Sequence, residues 1–276
     1  MSHIVNTILC QNQDLETVLP ENEGKYFFIS SLAKGIHILE LLSDNEDLSV
    51  TQVAKLMHIN RTSSHRFLST LRELGYADKD ENARYYLTSK VIELGTKVLD
   101  RFEFRKIAHP FLQTVASKFN ETINLGFFNG HQVITIDKID STEILRMDAG
   151  IGGREPAYCT SLGKAILAHL PDSQLEEYLN AIELTPYTPN TVTSKKKLKE
   201  ELIHIREKGY AIDNEELSVG LRCIGAPVFD HSGHARYAIS ISGPSIRFGS
   251  KRIQEMQKAL KQNCQSLSEK LGSQSF

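Results

Sequence analysis

Cysteine is scarce in this chain: four residues, Cys10, Cys159, Cys223 and Cys264, are scattered over 276 positions. They form no CxxC pair and no His/Cys cluster, which argues against a disulfide framework and against the usual zinc sites. We therefore expect no metal and no cofactor, and reduced thiols of the kind that a cytoplasmic protein keeps.

Long apolar runs and an excess of one charge are missing as well. No run approaches the ~18 residues that a membrane-spanning helix needs. The N-terminus lacks the basic residues of a signal peptide, and its apolar stretch, Ile8–Cys10, is too short for one. The net charge of −2 argues against a protein that coats nucleic acid over its whole surface, and it is compatible with a localised contact with DNA. We expect no membrane association.

The composition is that of an ordinary globular protein, with 40% hydrophobic and 24% charged residues. A chain of 276 residues is long enough for two domains. Residues 1–24 are polar and weakly patterned, and we predict a flexible N-terminal arm there. A contact of this arm with DNA or with a second subunit stays open.

A helix-turn-helix pattern begins at Ser49. Gln52 follows three residues later, the spacing of a capping box, in which each side chain satisfies a backbone N–H at a helix start. Residues at i, i+3, i+4 and i+7 then form one apolar face: Val50, Val53, Ala54 and Met57. Asn60 is placed to cap a second helix that begins with polar and basic residues. The second helix of such a motif lies in the major groove of DNA.

This second helix has a predicted buried side and a predicted exposed side. The buried side consists of Phe67, Leu68, Leu71 and Leu74. Between His58 and Arg72 the chain has three arginines and no acid, a local basic surface that can meet phosphates. The residues that we predict to contact DNA are Arg61, Thr62, Ser63, His65 and Arg66.

Two short strands follow, Tyr76–Lys79 and Arg84–Leu87, and they predict the wing of a winged helix, with Arg84 near the DNA backbone. A preceding helix, from about Ser31 to Leu42, completes the core. Its predicted inner face carries Leu32, Ile36, Leu39 and Leu42. We therefore predict a winged helix-turn-helix DNA-binding domain over residues 25–88. The alternative is a surface helical hairpin whose charges are merely solvated.

The rest of the chain predicts a linker and a second domain. Residues 89–120 have a helical pattern, and Pro110 predicts a break or kink between a linker helix, residues 89–104, and the next helix. Such apolar helices either form dimer contacts or pack on their own domain. Strands are predicted at 122–128, 132–139, 143–149, 210–214, 223–230 and 235–242, and helices at 161–169, 172–182, 193–208 and 246–271. This order indicates an α+β domain with a mostly antiparallel sheet over residues 105–276.

The segment 152–164 joins a strand to a helix and could bind an anion. Thr160 or Ser161 would cap the helix, and the free backbone N–H groups from Ser161 to Gly163 would suit a carboxylate. The segment lacks the spaced glycine of a P-loop. The alternative is a structural cap with no ligand.

Other polar residues of this domain are candidates for a pocket. Asp213 and Glu216 lie three apart and could orient two carboxylates toward a ligand or form an acid/base pair, or else cap a turn. Ser240 and Ser242 share one face of the last strand, and Cys223 begins a neighbouring strand. No nucleophile motif accompanies them, so we expect no catalytic residue and no enzyme.

The segment Gly209–Asp230 resembles the signature of the IclR family of bacterial transcription regulators. The matching positions are Gly209, Asp213, Glu216, Cys223, Phe229 and Asp230. Further similarity lies at residues 154–164, 239–244 and 64–66, and the resemblance extends from about Phe28 to Leu271.

The resemblance implies a winged helix, a helical linker and a GAF-like effector-binding domain, here residues 105–276. It implies double-stranded DNA and a small-molecule effector as partners, with homodimers through the DNA-binding half and often homotetramers through the effector domains. Together with the helix start and the Asp213 spacing, it indicates an effector site formed by Met147, Glu155, Ser161, Leu162, Gly163, Asp213, Glu216, Cys223, Ser240 and Ser242.

The resemblance also narrows the effector, since those of the family are usually small organic, aromatic or sugar-derived acids. Glu155 stands where members that bind very small keto acids can present an apolar wall. A carboxylate there prefers ligand hydroxyls, because an unpaired buried charge is costly. We therefore expect a transcriptional regulator, of repressor or activator type, that controls catabolic genes in response to a hydroxylated or sugar-derived acid. The alternative is an enzyme or metabolite-binding protein with a degenerate DNA-binding domain.

Overall fold

The computed structural model of the chain describes residues 28–101, 103–147 and 150–273. The predicted N-terminal arm, residues 1–24, lies outside these ranges. The chain divides into two compact units, Met1–Lys97 and Val98–Phe276. No helix in the described part of the chain has the length and apolarity needed to cross a membrane.

The N-terminal unit is a winged helix-turn-helix with an antiparallel sheet of order β1-β3-β2. Its elements are α1 (Ser30–Ser43), β1 (Leu48–Ser49), α2 (Val50–Leu56), α3 (Arg61–Glu73), β2 (Ala77–Lys79) and β3 (Arg84–Leu87), and α4 (Lys90–Arg101) follows in the sequence. Both predicted helix starts are confirmed. Ser49 and Gln52 form a capping box, and the side chain of Asn60 accepts a hydrogen bond at the start of α3.

The buried face of α1 matches the predicted one only in part. Leu39 and Leu42 pack in the core that α1 forms with β3 and α3, as predicted, and Ile38 is buried with them. Leu32 and Ile36 are mostly exposed. The helix carries two apolar stripes, and tertiary contact decides which of them is covered, since both have the same helical period. Leu74, also predicted to be buried, is largely exposed at the C-terminal cap of α3.

The C-terminal unit is built on a six-stranded antiparallel sheet of order β6-β5-β4-β9-β8-β7. Its elements are α5 (Glu103–Phe119), β4 (Thr122–Phe128), β5 (Gln132–Ile139), β6 (Arg154–Pro156), α6 (Ser161–Leu167), α7 (Asp172–Ala181), α8 (Lys195–Lys208), β7 (Ala211–Asn214), β8 (Leu221–Phe229), β9 (Ala235–Pro244) and α9 (Ser250–Lys270). The predicted α+β class with an antiparallel sheet is confirmed.

The two faces of this sheet belong to different cores, because successive side chains of a strand point to opposite faces. Ile239 and Ile241 of β9 pack in the core that includes α5 and α9. Ala238, which directly precedes Ile239 in β9, lies in the core beneath α6. Ser240 and Ser242 have the same parity as Ala238, so they also face α6.

The predicted strand over residues 143–149 is wrong. In its described part, Ile144 is 99% exposed and pairs with no strand. The chain just before it is held at Asn120, whose side-chain oxygen accepts a hydrogen bond from Thr142. The edge of β5 that could have paired with this segment is instead paired with β6. The segment therefore has no neighbouring strand with which to form backbone hydrogen bonds.

Of the break or kink predicted at Pro110, the break is wrong, and a kink stays a prediction. Helix α5 continues through it from Glu103 to Phe119. Proline removes one backbone donor, but Pro110 is exposed, so the carbonyl that loses its partner can be hydrated. Thr114 donates its hydroxyl to the carbonyl of Pro110 (3.0 Å).

Candidate functional site

Helix α3 presents a polar and basic face to solvent. The exposed side chains of this face include Arg61, Thr62, His65 and Arg66. Ser63 is half-buried, and its backbone N–H donates to the side chain of Asn60 (2.7 Å). Ser64, which was not among the predicted DNA contacts, is buried and donates its hydroxyl to the carbonyl of Val50 in α2 (2.9 Å). This bond fixes the two helices of the motif relative to each other.

Two further arginines of the winged helix are already bound by acids. The Nε atom of Arg72 lies 3.1 Å from Oδ1 of Asp78. Arg84, at the start of β3, forms an ion pair with Asp47 and also donates to the backbone carbonyl of Asp47 (3.2 Å). Arg84 thus holds the base of the wing, and its contact with the DNA backbone stays a prediction.

A row of buried polar side chains crosses four strands on the α6 face of the C-terminal sheet. Its members lie directly opposite one another on adjacent strands. They are Thr122 of β4, Ser242 of β9, Cys223 of β8 and Asp213 of β7. We call these four residues the polar row. The fold thereby brings together three residues that the sequence proposed as site residues from separate segments, and it adds Thr122.

Asn124, also missed by the sequence reasoning, extends this cluster along β4. It lies opposite Ser240, and its Nδ2 atom donates to Oγ of Ser242 (3.3 Å). The hydroxyls of Ser240 and Ser242 are 3.3 Å apart. Met147 closes one side, since its carbonyl accepts from the hydroxyl of Thr122 (3.2 Å). The two-residue period of β4 places the side chains of Thr122 and Asn124 on the same face of the strand. The sequence could not show that this face borders Ser240 and Ser242, because the strand order was not known.

Three buried polar atoms around the polar row have no hydrogen-bond partner among the described residues: Asn124 Oδ1, Ser161 Oγ and Asp213 Oδ2. Ser161 belongs to the same region because its carbonyl packs on Gly225, opposite Ser240. Leaving a buried polar group unpaired costs about 1–3 kcal/mol. The arrangement can therefore accept a ligand that supplies the missing partners.

Burial raises the pKa values of acidic groups in this region. It raises the pKa of Asp213 to about 7, and it raises the pKa of Glu155 as well. Glu155 lies opposite Val133, which is in the core beneath α6, so its side chain faces that side of the sheet too. Burial also raises the pKa of Cys223, which keeps its thiol protonated. Near neutral pH Asp213 is therefore only partly ionised, and the site offers both hydrogen-bond donors and acceptors.

The start of α6 offers fewer free donors than the sequence predicted. Thr160 caps this helix, and its Oγ1 atom accepts from the backbone N–H of Gly163 (3.2 Å). A side chain at Gly163 would overlap the backbone of Ala157. Gly163 thus serves close packing, and the N–H groups left at the helix start are those of Ser161 and Leu162.

Glu216 is bound by a buried lysine that the sequence reasoning missed. Lys164 of α6 is fully buried, and its Nζ atom donates to Glu216 (2.5 Å) and to Glu201 (2.6 Å). Burial by itself would lower the pKa of Lys164, but the two carboxylates outweigh it and raise that pKa. The backbone N–H of Glu216 in turn donates to Oδ1 of Asp213 (2.8 Å). Lys164 and Glu216 therefore position Asp213.

Asp213→Asn should stabilise the protein at alkaline pH. The pKa of Asp213 is raised in the folded state, so the cost of ionising it is absent below about pH 4 and complete above about pH 7. We expect the variant to exceed the original in free energy of unfolding by on the order of 2–4 kcal/mol at pH 8, and by less at pH 5. Denaturant melts at both pH values measure this, and a difference that does not change with pH would contradict it.

Comparison with known proteins agrees with this architecture. Residues 31–81 match the family model of the IclR helix-turn-helix domain, and residues 96–269 match that of the bacterial transcriptional regulator IclR C-terminal domain. The HTH-type transcriptional regulator KdgR of Escherichia coli is 35% identical over 245 residues, which cover 88% of this chain and 93% of the relative. The repressor YiaJ of the same organism is 34% identical over 247 residues, 88% of each chain.

A solved structure shows the same fold over nearly the whole chain. The structure of Thermotoga maritima IclR has a TM-score of 0.74 and 36% identity, and the match covers 89% of this chain and all of that one. The relatives are transcriptional regulators and not enzymes. This chain therefore belongs to the IclR family of DNA-binding transcriptional regulators, with an N-terminal helix-turn-helix domain and a C-terminal effector-binding domain.

Proposed function

We propose that this regulator controls catabolic genes in response to a small hydroxylated organic acid, such as a sugar-derived acid, bound over the polar row. The observation that carries the proposal is the cluster of buried, unpartnered atoms on Asn124, Ser161 and Asp213. Folded proteins pair nearly all of their buried polar atoms. A ligand rich in hydroxyls would complete these three.

The two ends of such a ligand would meet different groups. The side-chain oxygens of Asn124 and Asp213 would accept from its hydroxyls, as would Glu155. Its carboxylate would lie at the start of α6, where Ser161 offers a hydroxyl and the backbone N–H groups of Ser161 and Leu162 are free to donate. Further donors and walls would come from Met147, Cys223, Ser240 and Ser242.

Ser240→Ala combined with Ser242→Ala tests this site. We expect the double variant to lose about 1–3 kcal/mol of effector binding free energy, because two buried hydroxyls are removed, and to bind DNA without effector as the original does. A thermal-shift screen of organic acids identifies the effector, since a ligand of the folded state raises Tm, and calorimetry then compares the variants.

The control removes two exposed serines of the same unit, Ser173→Ala with Ser218→Ala. Normal effector binding by the Ser240 and Ser242 double variant would show that the site is misplaced. An effector that binds but leaves DNA affinity unchanged would contradict the regulatory proposal, because a ligand shifts an equilibrium only by its differential affinity.

We propose that α3 reads the major groove of an operator, and that binding represses transcription. Two relatives are named as repressors, the E. coli regulators IclR and YiaJ. The contacts would come from the exposed face of α3, with Arg61 and Arg66 as its cations. Such a protein would act in the cytoplasm, where it meets its operator.

We further propose that the protein is a homodimer through its N-terminal unit, with tetramers formed through the effector domains. The support is an exposed apolar stripe at i, i+3 and i+7 in and just before α1: Ile29, Leu32 and Ile36. Contiguous exposed apolar side chains of this kind mark protein interfaces.

Leu32→Glu should weaken the dimer, because it places a charge in this stripe. Light scattering at micromolar concentration should give a smaller mass for the variant than for the original protein. Ile203→Glu is a matched control, since Ile203 is 59% exposed and Leu32 is 60% exposed, but Ile203 lies on α8 of the other unit. Identical masses for Leu32→Glu and the original protein would remove α1 from the interface.

A further inference from the structure

A β-bulge in the effector sheet turns a buried carboxylate toward helix α5. In the pairing of β4 with β5, Leu125 lies opposite Asp137 and Gly126 opposite Thr135, so Ile136 is an extra residue. Ile136 and Asp137 consequently both point to the α5 side. Bulges redirect a side chain in this way, and they often stand next to functional sites.

Asp137 is 1% exposed, and two side chains of α5, Arg105 and His109, contact its carboxylate. Its Oδ2 atom lies 2.7 Å from Nδ1 of His109. Its Oδ1 atom lies within 3.4 Å of the guanidinium of Arg105 and accepts the backbone N–H of Lys138 (3.0 Å). A buried carboxylate is tolerated only when it is paired, so any movement of this part of β5 must carry α5 with it or break the contact.

The same stretch of β5 borders the polar row. Leu125, opposite Asp137, follows Asn124 in β4, and Asn124 contacts Ser242. Thr135 exchanges two backbone hydrogen bonds with the Gly152–Gly153 turn (2.7 and 3.0 Å), and this turn leads directly into β6 with Glu155. A ligand that draws β4 and β6 together would therefore act on both sides of the bulge.

We propose that Asp137 is the positioning residue through which the effector site acts on α5, the helix that follows the linker helix α4 in the sequence. The inference rests on the proposed function, since it names how occupancy of that site is transmitted. The physical element is the bulge with its His109 and Arg105 contacts. It has to adopt two arrangements, one favoured with effector bound and one with DNA bound.

Coupling of this kind is reciprocal, so DNA serves as the probe and no effector is needed. Hydrogen exchange of the full-length protein is measured with and without a duplex from upstream of its own gene that it retards in a mobility shift. In the original protein, we expect DNA to change the exchange of amides 135–138 and 152–153 by at least about threefold. In Asp137→Asn, we expect that change to be lost while DNA affinity stays within about threefold of the original.

The controls separate coupling from simple stabilisation. Asp140→Asn removes an exposed carboxylate on the same segment, paired with Lys138 at 2.9 Å, and should keep the DNA-dependent exchange. His109→Gln retains a hydrogen-bond donor toward Asp137, so this variant should keep part of the DNA-dependent change in exchange. An unchanged DNA response in Asp137→Asn, or no response in the original protein that binds DNA, would overturn the inference. Absence of any DNA binding by the original protein would refute the proposed function itself and the inference with it.

Discussion

Replacing Arg61 and Arg66 together by alanine should weaken specific operator binding by at least about 30-fold. Each arginine stands exposed on α3, and a base or phosphate contact by such a residue is worth about 1–3 kcal/mol. The pair should therefore cost about 2–6 kcal/mol, or roughly 30-fold to more than 10⁴-fold in affinity. Mobility shifts at one fixed salt concentration measure the loss.

The same helix offers the control. Arg72→Ala removes a cation whose guanidinium is already bound by Asp78 at 3.1 Å, and exposed ion pairs of this kind contribute about 0–1 kcal/mol. We expect its operator affinity to stay within about threefold of the original. Equal losses in Arg72→Ala and in the double variant would mean that net charge, and not the exposed face of α3, governs binding. Circular dichroism should show all three proteins folded.

Lys164→Met should destabilise the C-terminal unit by about 3–5 kcal/mol, because it leaves the buried carboxylate of Glu216 without its cation. Lys164 is fully buried, and its Nζ atom lies 2.5 Å from Glu216 and 2.6 Å from Glu201. The loss should appear in denaturant melts as a shift of the midpoint. The unfolding of the C-terminal unit is the transition to follow.

Lys199→Met is the matched control for this experiment. Lys199 pairs with Glu176 at the same 2.6 Å, but its side chain is 43% exposed, so its removal should change stability by less than about 1 kcal/mol. Adding Glu216→Gln to Lys164→Met should recover part of the stability, because the uncompensated charge is removed as well. If the double variant were no more stable than Lys164→Met, lost packing of the lysine stem and not the charge would account for the effect.

Much of the DNA-binding half could be predicted from the sequence, because its elements are set by local contacts. The capping box at Ser49 and the cap at Asn60 join atoms three residues apart, so they can be read from spacing alone. The strands of the C-terminal unit were also predictable where alternation was strong, as in β4, β5 and β9. The predicted strand over residues 143–149 was wrong because an alternating segment forms a strand only if a neighbouring strand is there to pair with it.

The candidate effector site was predictable only in part. Resemblance to a family placed Asp213, Cys223, Ser240 and Ser242 in one pocket, and strand order put three of them close together on one sheet face with Asn124 and Thr122 beside them. Glu216, predicted to face the ligand, is bound instead by Lys164. No local pattern marks that lysine, since its two partners lie 37 and 52 residues away.

By itself the sequence determined the helix-turn-helix, the antiparallel α+β domain and the family, because caps, turns and hydrophobic periods act over a few residues and the family's motif positions are readable without coordinates. Only the tertiary structure decided which of the two apolar stripes of α1 is buried, that Lys164 lies in the interior, and that the bulge at Ile136 turns Asp137 toward His109. Each of these depends on free energies of burial and pairing between segments far apart in the chain, where the energy of one local conformation does not choose among the alternatives.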